Sequence, residues 1–80
     1  MIEQQVREVI RDQGRMPVEV DSLPADADLY EAGMTSHATV DVMLALEGEF
    51  DVEFPDEMLK RSVFGSIASI RDALVTINPT

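Results

Sequence analysis

Apolar residues recur at helical spacing in three stretches of the chain, which predicts three amphipathic helices. The first is expected over about residues 2–13, because Gly14 directly follows the pattern, and the others over about 36–49 and 67–77. The apolar positions that carry the three patterns are Ile2, Val6, Val9, Ile10; Val40, Met43, Leu44, Phe50; and Ile67, Ile70, Leu74, Ile77.

The segments between these helices predict a long loop and one short helix. Residues 15–35 contain two prolines and several aspartates, and we expect an ordered loop pinned by apolar side chains, namely Val18, Val20, Leu23, Leu29 and Tyr30. Pro55, two acidic residues after it and the basic pair Lys60 and Arg61 predict a short third helix over about 55–61. The expected fold class is all-α, a small four-helix bundle with a long first loop.

Composition limits what the chain can do. Eighty residues form one small domain, residues 1–80, and the absence of cysteine means that any thiol must come from outside the protein. No stretch predicts a signal peptide or a membrane span, so a cytoplasmic location is expected. Residues 16–59 contain twelve acidic and no basic side chains within a net charge of -10, which disfavours nucleic acid and favours a basic protein partner.

The residues disfavour both a serine nucleophile with a histidine base and a calcium-binding loop. Ser36 and His37 are neighbours in a predicted helix and point about 100° apart, which is the wrong spacing for a nucleophile and its base. The segment beginning at Asp26 starts like a calcium loop, but Tyr30 and Glu31 occupy positions that need a ligand and a glycine. We therefore predict no enzyme activity and no metal site.

The residues around Ser36 resemble a known attachment motif. Gly33, Met34 and Ser36 match G-[LM]-D-S-[LI] at the start of the second helix of the acyl carrier protein family, whereas Thr35 and His37 depart from it. The family's acidic D-L ahead of the glycine is present at residues 28–29, and its F-x-[IV]-x-[IF]-P-[DE]-[DE] stretch is present at residues 50–57. The resemblance covers about residues 28–77.

This resemblance implies that Ser36 carries 4'-phosphopantetheine, derived from coenzyme A by a phosphopantetheinyl transferase, and that the fold is of acyl-carrier-protein type. Thr35-Ser36 in place of Asp-Ser, together with residues 50–56 and the sequence Phe64-Gly65-Ser66-Ile67, makes the chain similar to small stand-alone aminoacyl carrier proteins, which are loaded by relatives of class II aminoacyl-tRNA synthetases. The implied function is to hold an activated amino acid as a thioester, with glycine and alanine as first candidates, for a downstream acceptor enzyme. The implied partner-binding residues are Met34, Thr35, His37, Asp41 and Glu47, on a monomer whose docking face stays free.

Two alternatives remain open from the sequence. The first is an acyl carrier protein of fatty-acid, polyketide or nonribosomal biosynthesis. The second is an acidic helical module that binds a basic partner without modification. A literal copy of the D-S-L tripeptide at residues 21–23 is interpreted as a loop, because Pro24 disfavours helix at the residue before it. Ser22 is therefore not the predicted attachment site.

Overall fold

The computed structural model describes residues 2–77, and within them the chain forms an all-helical bundle. This confirms the predicted fold class. The helices are α1 (Ile2–Gln13), α2 (Ser36–Phe50), α3 (Arg61–Phe64) and α4 (Ile67–Ile77), with 3-10 turns at Val20–Ser22 and Asp56–Met58. Within residues 2–77, no helix is long and apolar enough to span a bilayer.

The core is formed by the inner faces of the helices together with four buried positions between them, Val20, Leu29, Met34 and Phe54. α1 packs against α2 and α4, and α3 packs against α4. The predicted inner faces of α1 and α4 are confirmed. The fully buried side chains are Val6, Ile10, Leu29, Val42, Leu46, Ile67, Ile70 and Leu74, and no polar side chain among residues 2–77 is buried with them.

α2 forms where expected, but it turns a different face to the core than its most hydrophobic residues suggest. Its buried positions are Ala38, Val42 and Leu46, spaced four residues apart, whereas Val40 is 51% exposed and Leu44 is 56% exposed. Both stripes are apolar, so periodicity alone does not distinguish them. Val40 and Leu44 follow Ser36 at i+4 and i+8 and therefore share its face of the helix.

The short third helix begins six residues later than predicted. Residues 56–58 form only a 3-10 turn, Lys60 is extended, and the helical turn begins at Arg61. A segment this short is not stable by propensity alone, so burial decides its position. Phe64 is 3% exposed and packs edge to face on Phe54, with 5.2 Å between ring centroids. This contact places residues 61–64, rather than 55–61, against the core.

The long loop between α1 and α2 is held by specific contacts, as expected. Val20 and Leu29 are buried, and Leu23 and Tyr30 are partly buried against the core. Val18 does not dock; its side chain is 43% exposed, contrary to the prediction.

Backbone groups of this loop are also tied to the rest of the bundle. The Arg7 guanidinium donates to the carbonyl oxygens of Val20 and Leu23, at 2.9 and 2.8 Å. The Leu29 N–H donates to the carbonyl of Gly65 at 2.8 Å, which joins the loop to the link between α3 and α4. The chain that leads to Ser36 is therefore fixed from both sides.

Candidate functional site

Ser36 is the first residue of α2, and its side chain is exposed. A serine at this place commonly caps the helix. Here Thr35 is the cap: its hydroxyl accepts a hydrogen bond from the Ala38 N–H at 3.0 Å. Within residues 2–77, the Ser36 hydroxyl makes no side-chain hydrogen bond, so it is free for chemistry.

The backbone beside Ser36 suits a negative charge. The N–H groups of Ser36 and His37 find no acceptor among the described residues, because the cap satisfies only the third N–H of α2. The helix macrodipole adds positive potential at this end of a 15-residue helix. A phosphodiester bonded to the Ser36 oxygen would lie where these groups stabilise it.

The loop that delivers Ser36 has a conformation that depends on glycine. Gly33 has φ +122°, and a Cβ there would lie 2.5 Å from Cδ of Pro17. Any other residue would therefore meet both backbone strain and a steric clash. Just upstream, the Asp28 carboxylate accepts from the N–H groups of Tyr30 and Glu31, at 2.9 and 3.2 Å, and shapes the turn. The motif residues 28 and 33 thus act through the backbone.

An open cleft of about 370 Å³ lies beside Ser36, between α2 and the segment that enters α3. Its apolar surface comes from Val40, Met43, Leu59 and Phe64, and its polar lining from Tyr30, Ser36, Thr39, Lys60 and Arg61. The cleft therefore combines an apolar surface with the candidate attachment serine and two cations.

One wall of the cleft is linked to the start of α2. The Arg61 guanidinium lies over the Tyr30 ring, 4.1 Å from its centroid. The Thr39 hydroxyl is hydrogen-bonded to the Tyr30 hydroxyl at 3.3 Å and donates to the carbonyl of Thr35 at 2.9 Å. A continuous set of contacts thus runs from Arg61 to the residue before Ser36.

The predicted partner-binding residues divide into two groups. Thr35 and His37 are exposed and Asp41 is half-buried, so all three are accessible around Ser36. Met34 is only 3% exposed, which corrects its assignment as a docking residue: it packs in the core and anchors the loop. The Glu47 carboxylate accepts from the Phe54 N–H at 2.9 Å, so it has a structural contact of its own.

Sequence reasoning missed Val40, Lys60 and Arg61 in the lining of the cleft, and Leu44 on the same face of α2 as Ser36. Val40 and Leu44 belong to the apolar pattern that predicts α2, but both are exposed, and their spacing from Ser36 already indicates a shared face. Lys60 and Arg61 were interpreted only as favourable charges at a helix end. They are the first basic residues after the acidic middle of the chain, which was the available signal.

The described residues do not assemble a metal site. Among residues 2–77, no group of three or more His, Asp or Glu side chains is placed to hold an ion. Ser36 and His37 are consecutive in α2 and both exposed, without the hydrogen bond that a nucleophile and base require.

Comparison with protein families identifies the kind of site. The family model described as phosphopantetheine attachment site matches residues 4–74, nearly the whole chain. The chain belongs to this family. It is accordingly a carrier protein rather than an enzyme, and its cofactor is 4'-phosphopantetheine. The free hydroxyl and free N–H groups at the start of α2 fit that group.

Individual proteins agree with the family. The carrier is 44% identical to an aminoacyl carrier protein of Agrobacterium fabrum, over 90% of this chain and 87% of that protein. It is 46% identical to an acyl carrier protein of Akkermansia muciniphila, over 70% of this chain and 69% of that protein.

A solved structure is also very similar. In a crystal structure of an engineered Bradyrhizobium japonicum glycine:[carrier protein] ligase, complexed with a carrier protein from Agrobacterium tumefaciens and ATP, one chain superposes with a TM-score of 0.93. That chain is 42% identical, and the match covers 96% of this chain and 100% of that one.

Proposed function

We propose that Ser36 is the residue that carries 4'-phosphopantetheine, and that the carrier holds an amino acid on it for transfer to another enzyme. The observation that carries this proposal is the exposed Ser36 hydroxyl, which has no hydrogen-bond partner within residues 2–77 because Thr35 does the capping. When bound, the group supplies a thiol on a long arm, which accepts the acyl group as a thioester.

Attachment needs little from this chain beyond an accessible oxygen. The Ser36 Oγ forms a bond to the phosphorus of the phosphopantetheinyl group of coenzyme A, and adenosine 3',5'-bisphosphate leaves. The hydroxyl proton passes to a base of the transferase, since His37 points about 100° away along the helix. The N–H groups at the start of α2 stabilise the phosphodiester that results.

The proposed cargo is an amino acid, and the proposed loading partner is an amino acid:carrier protein ligase. Two relatives support this: a protein named aminoacyl carrier protein is 44% identical, and a carrier 42% identical is found in complex with a glycine:[carrier protein] ligase. Glycine is therefore the first candidate, followed by alanine. The ligase would be related to class II aminoacyl-tRNA synthetases.

The face of α2 around Ser36 offers a surface for that ligase. Val40 and Leu44 supply exposed apolar contact on the same side as Ser36. Thr35 and His37, the neighbours of Ser36 in sequence, are exposed, and Asp41 further along α2 is half-buried. The acidic middle of the chain favours a partner with Arg and Lys on its docking surface. Met34 has no part in this surface, because it is buried.

The test is to load the modified carrier and weigh it. The purified protein is first phosphopantetheinylated with coenzyme A and a broad-specificity phosphopantetheinyl transferase. It is then incubated with a glycine:[carrier protein] ligase, ATP and glycine or alanine. We expect a mass gain of one aminoacyl group, abolished by hydroxylamine and absent from Ser36→Ala. A modified carrier that gains no amino acid, but accepts a fatty acyl group from an acyl-loading enzyme, would contradict the proposed cargo.

An acyl carrier of fatty-acid or polyketide type is a second candidate. The apolar cleft beside Ser36 and the 46% identity to an acyl carrier protein favour it. The two candidates differ in where the cargo lies. An octanoyl chain would bury apolar surface in the cleft and shift the NMR signals of Met43 and Phe64, whereas a charged glycyl group would remain in water.

A further inference from the structure

We propose that Lys60 and Arg61 form a basic wall that binds the phosphodiester of the arm and lays the arm along the apolar cleft between α2 and α3. This inference rests on the proposed function, in which Ser36 carries the arm. It assigns to these two residues a positioning role: they favour conformations in which the arm lies in the cleft.

The first support is the charge of the cleft. Among residues 2–77, Lys60 and Arg61 are the only cations that line the cleft beside Ser36, and residues 16–59 contain no Lys or Arg. Within residues 2–77, the ion pairs use Arg7, Arg11 and Arg71 instead. The charges of Lys60 and Arg61 are therefore not neutralised by a contacting carboxylate and are available to an anion.

The second support is that Arg61 is already held in place. Its guanidinium lies 4.1 Å from the centroid of the Tyr30 ring, and the Tyr30 hydroxyl is hydrogen-bonded to Thr39, which lies one turn after Ser36 on α2. Stacking uses the flat face of a guanidinium and leaves the N–H groups at its edge free to donate. Such a group loses little freedom when it binds a phosphate.

The third support is the surface that continues from these cations. Val40, Met43, Leu59 and Phe64 form an apolar floor that starts beside Ser36. The pantetheine arm carries a gem-dimethyl group next to its phosphate, and this group would bury apolar surface on that floor. The α-ammonium of an amino acid would be repelled by the two cations, so the loaded end would remain outside the cleft.

A purely structural role of Arg61 makes a different prediction. A cation–π contact at an exposed site contributes about 0.5–1 kcal/mol to stability, and its loss would affect the carrier with or without the arm. The proposed role appears only once the arm is attached. The contacts of the arm are therefore the measurement that distinguishes the two.

The experiment compares modified carriers by NMR after mass spectrometry has located the arm. Three proteins are phosphopantetheinylated with coenzyme A and a transferase: the native protein, Lys60→Gln/Arg61→Gln and Arg11→Gln/Arg15→Gln. The last variant is a matched control, because it also removes two positive charges, from the end of α1 and outside the cleft. We measure nuclear Overhauser contacts between the gem-dimethyl protons and Met43 and Phe64.

We expect these contacts in the native carrier and in the α1 control, and their loss in Lys60→Gln/Arg61→Gln. About 1 M salt, at which the Debye length is about 3 Å, should weaken them in the native carrier. The salt measurement uses only the native carrier, so it tests the inference even if the transferase does not modify the variant. Contacts that are absent from the native carrier, or that survive both the substitutions and the salt, would overturn the inference. An unmodified Ser36 would instead overturn the proposed function.

Discussion

Ser22 and Ser36 differ in both local sequence and environment. Ser22 matches the D-S-L motif more closely, but Ser36 has the environment that attachment requires. Ser22 stands in Asp21-Ser22-Leu23, a literal D-S-L, whereas Ser36 stands between Thr35 and His37. Ser22 ends a three-residue 3-10 turn and donates its hydroxyl to the Glu19 carbonyl at 2.7 Å. Ser36 begins a 15-residue helix, and its hydroxyl has no partner within residues 2–77.

Exposure does not distinguish them, since both are exposed. The difference lies in what the fold builds around each oxygen. Beside Ser36, α2 supplies free N–H groups and a positive dipole end, and the segment that enters α3 supplies two cations to the cleft. Beside Ser22 the turn uses the hydroxyl itself to satisfy a backbone carbonyl. The environment, more than the tripeptide, is what a carrier site requires.

The largest expected effect is complete loss of modification in Ser36→Ala. Removal of the oxygen leaves nothing to bond to phosphorus, while the free energy of unfolding changes by less than about 0.5 kcal/mol, because the side chain is exposed and its hydroxyl makes no hydrogen bond within residues 2–77. The extent of modification is measured by intact mass after incubation with coenzyme A and a transferase, and the free energy of unfolding is measured by urea unfolding. Ser62→Ala, an exposed serine in the first turn of α3, is the matched control and should be modified normally.

Leu29→Ala should have the next largest effect, by loosening the loop that leads to Ser36. Leu29 is 0% exposed, and its replacement leaves a cavity that costs about 2–5 kcal/mol. Val18→Ala is the control in the same loop, at a side chain that is 43% exposed, and should cost under about 1 kcal/mol. Equal losses of unfolding free energy in the two variants would mean that the loop is not anchored as described.

Thr35→Ala should have a smaller effect and would separate capping from attachment. Loss of the hydroxyl that accepts from Ala38 N–H should lower the free energy of unfolding by about 1 kcal/mol. Thr35→Ser keeps the cap and should cost only a few tenths. Both variants should still be modified on Ser36. A stability unchanged in Thr35→Ala, measured by urea unfolding, would show that Thr35 does not cap α2.

The smallest effect is expected for Ser22→Ala. Its one hydrogen bond to the Glu19 carbonyl is exposed, so the free energy of unfolding should change by less than about 0.5 kcal/mol. The extent of modification should equal that of the native chain. A fall in phosphopantetheinylation of this variant, measured by intact mass, would show that Ser22 contributes to the modification, contrary to this prediction.

The sequence predicted most of the fold because its helix signals are local. The bounds of α1 and α4 follow from periodicity and Gly14, whose N–H donates to the Ile10 carbonyl at 2.7 Å where α1 ends. The third helix was misplaced because a single turn depends on tertiary packing, here of Phe64. Of the four apolar positions that predict α2, Met43 and Phe50 pack partly buried against the core, whereas Val40 and Leu44 are exposed, because both faces of the helix are apolar.

The candidate site was predictable to the same degree. The resemblance of Gly33, Met34 and Ser36 to the attachment motif of the acyl carrier protein family indicated Ser36 from sequence, and the conformation of Gly33 gives the physical reason for the glycine. The cap at Thr35, the burial of Met34 and the approach of Lys60 and Arg61 to the cleft all depend on contacts between distant segments. No local pattern encodes those contacts.

Attachment of the arm to Ser36 is tested most directly by mass spectrometry. The native carrier is incubated with coenzyme A and a broad-specificity transferase, weighed intact and then fragmented to locate the change. The account predicts a gain of one phosphopantetheinyl group, with fragment ions that place it on Ser36. No gain, or a gain on Ser22, would contradict the account.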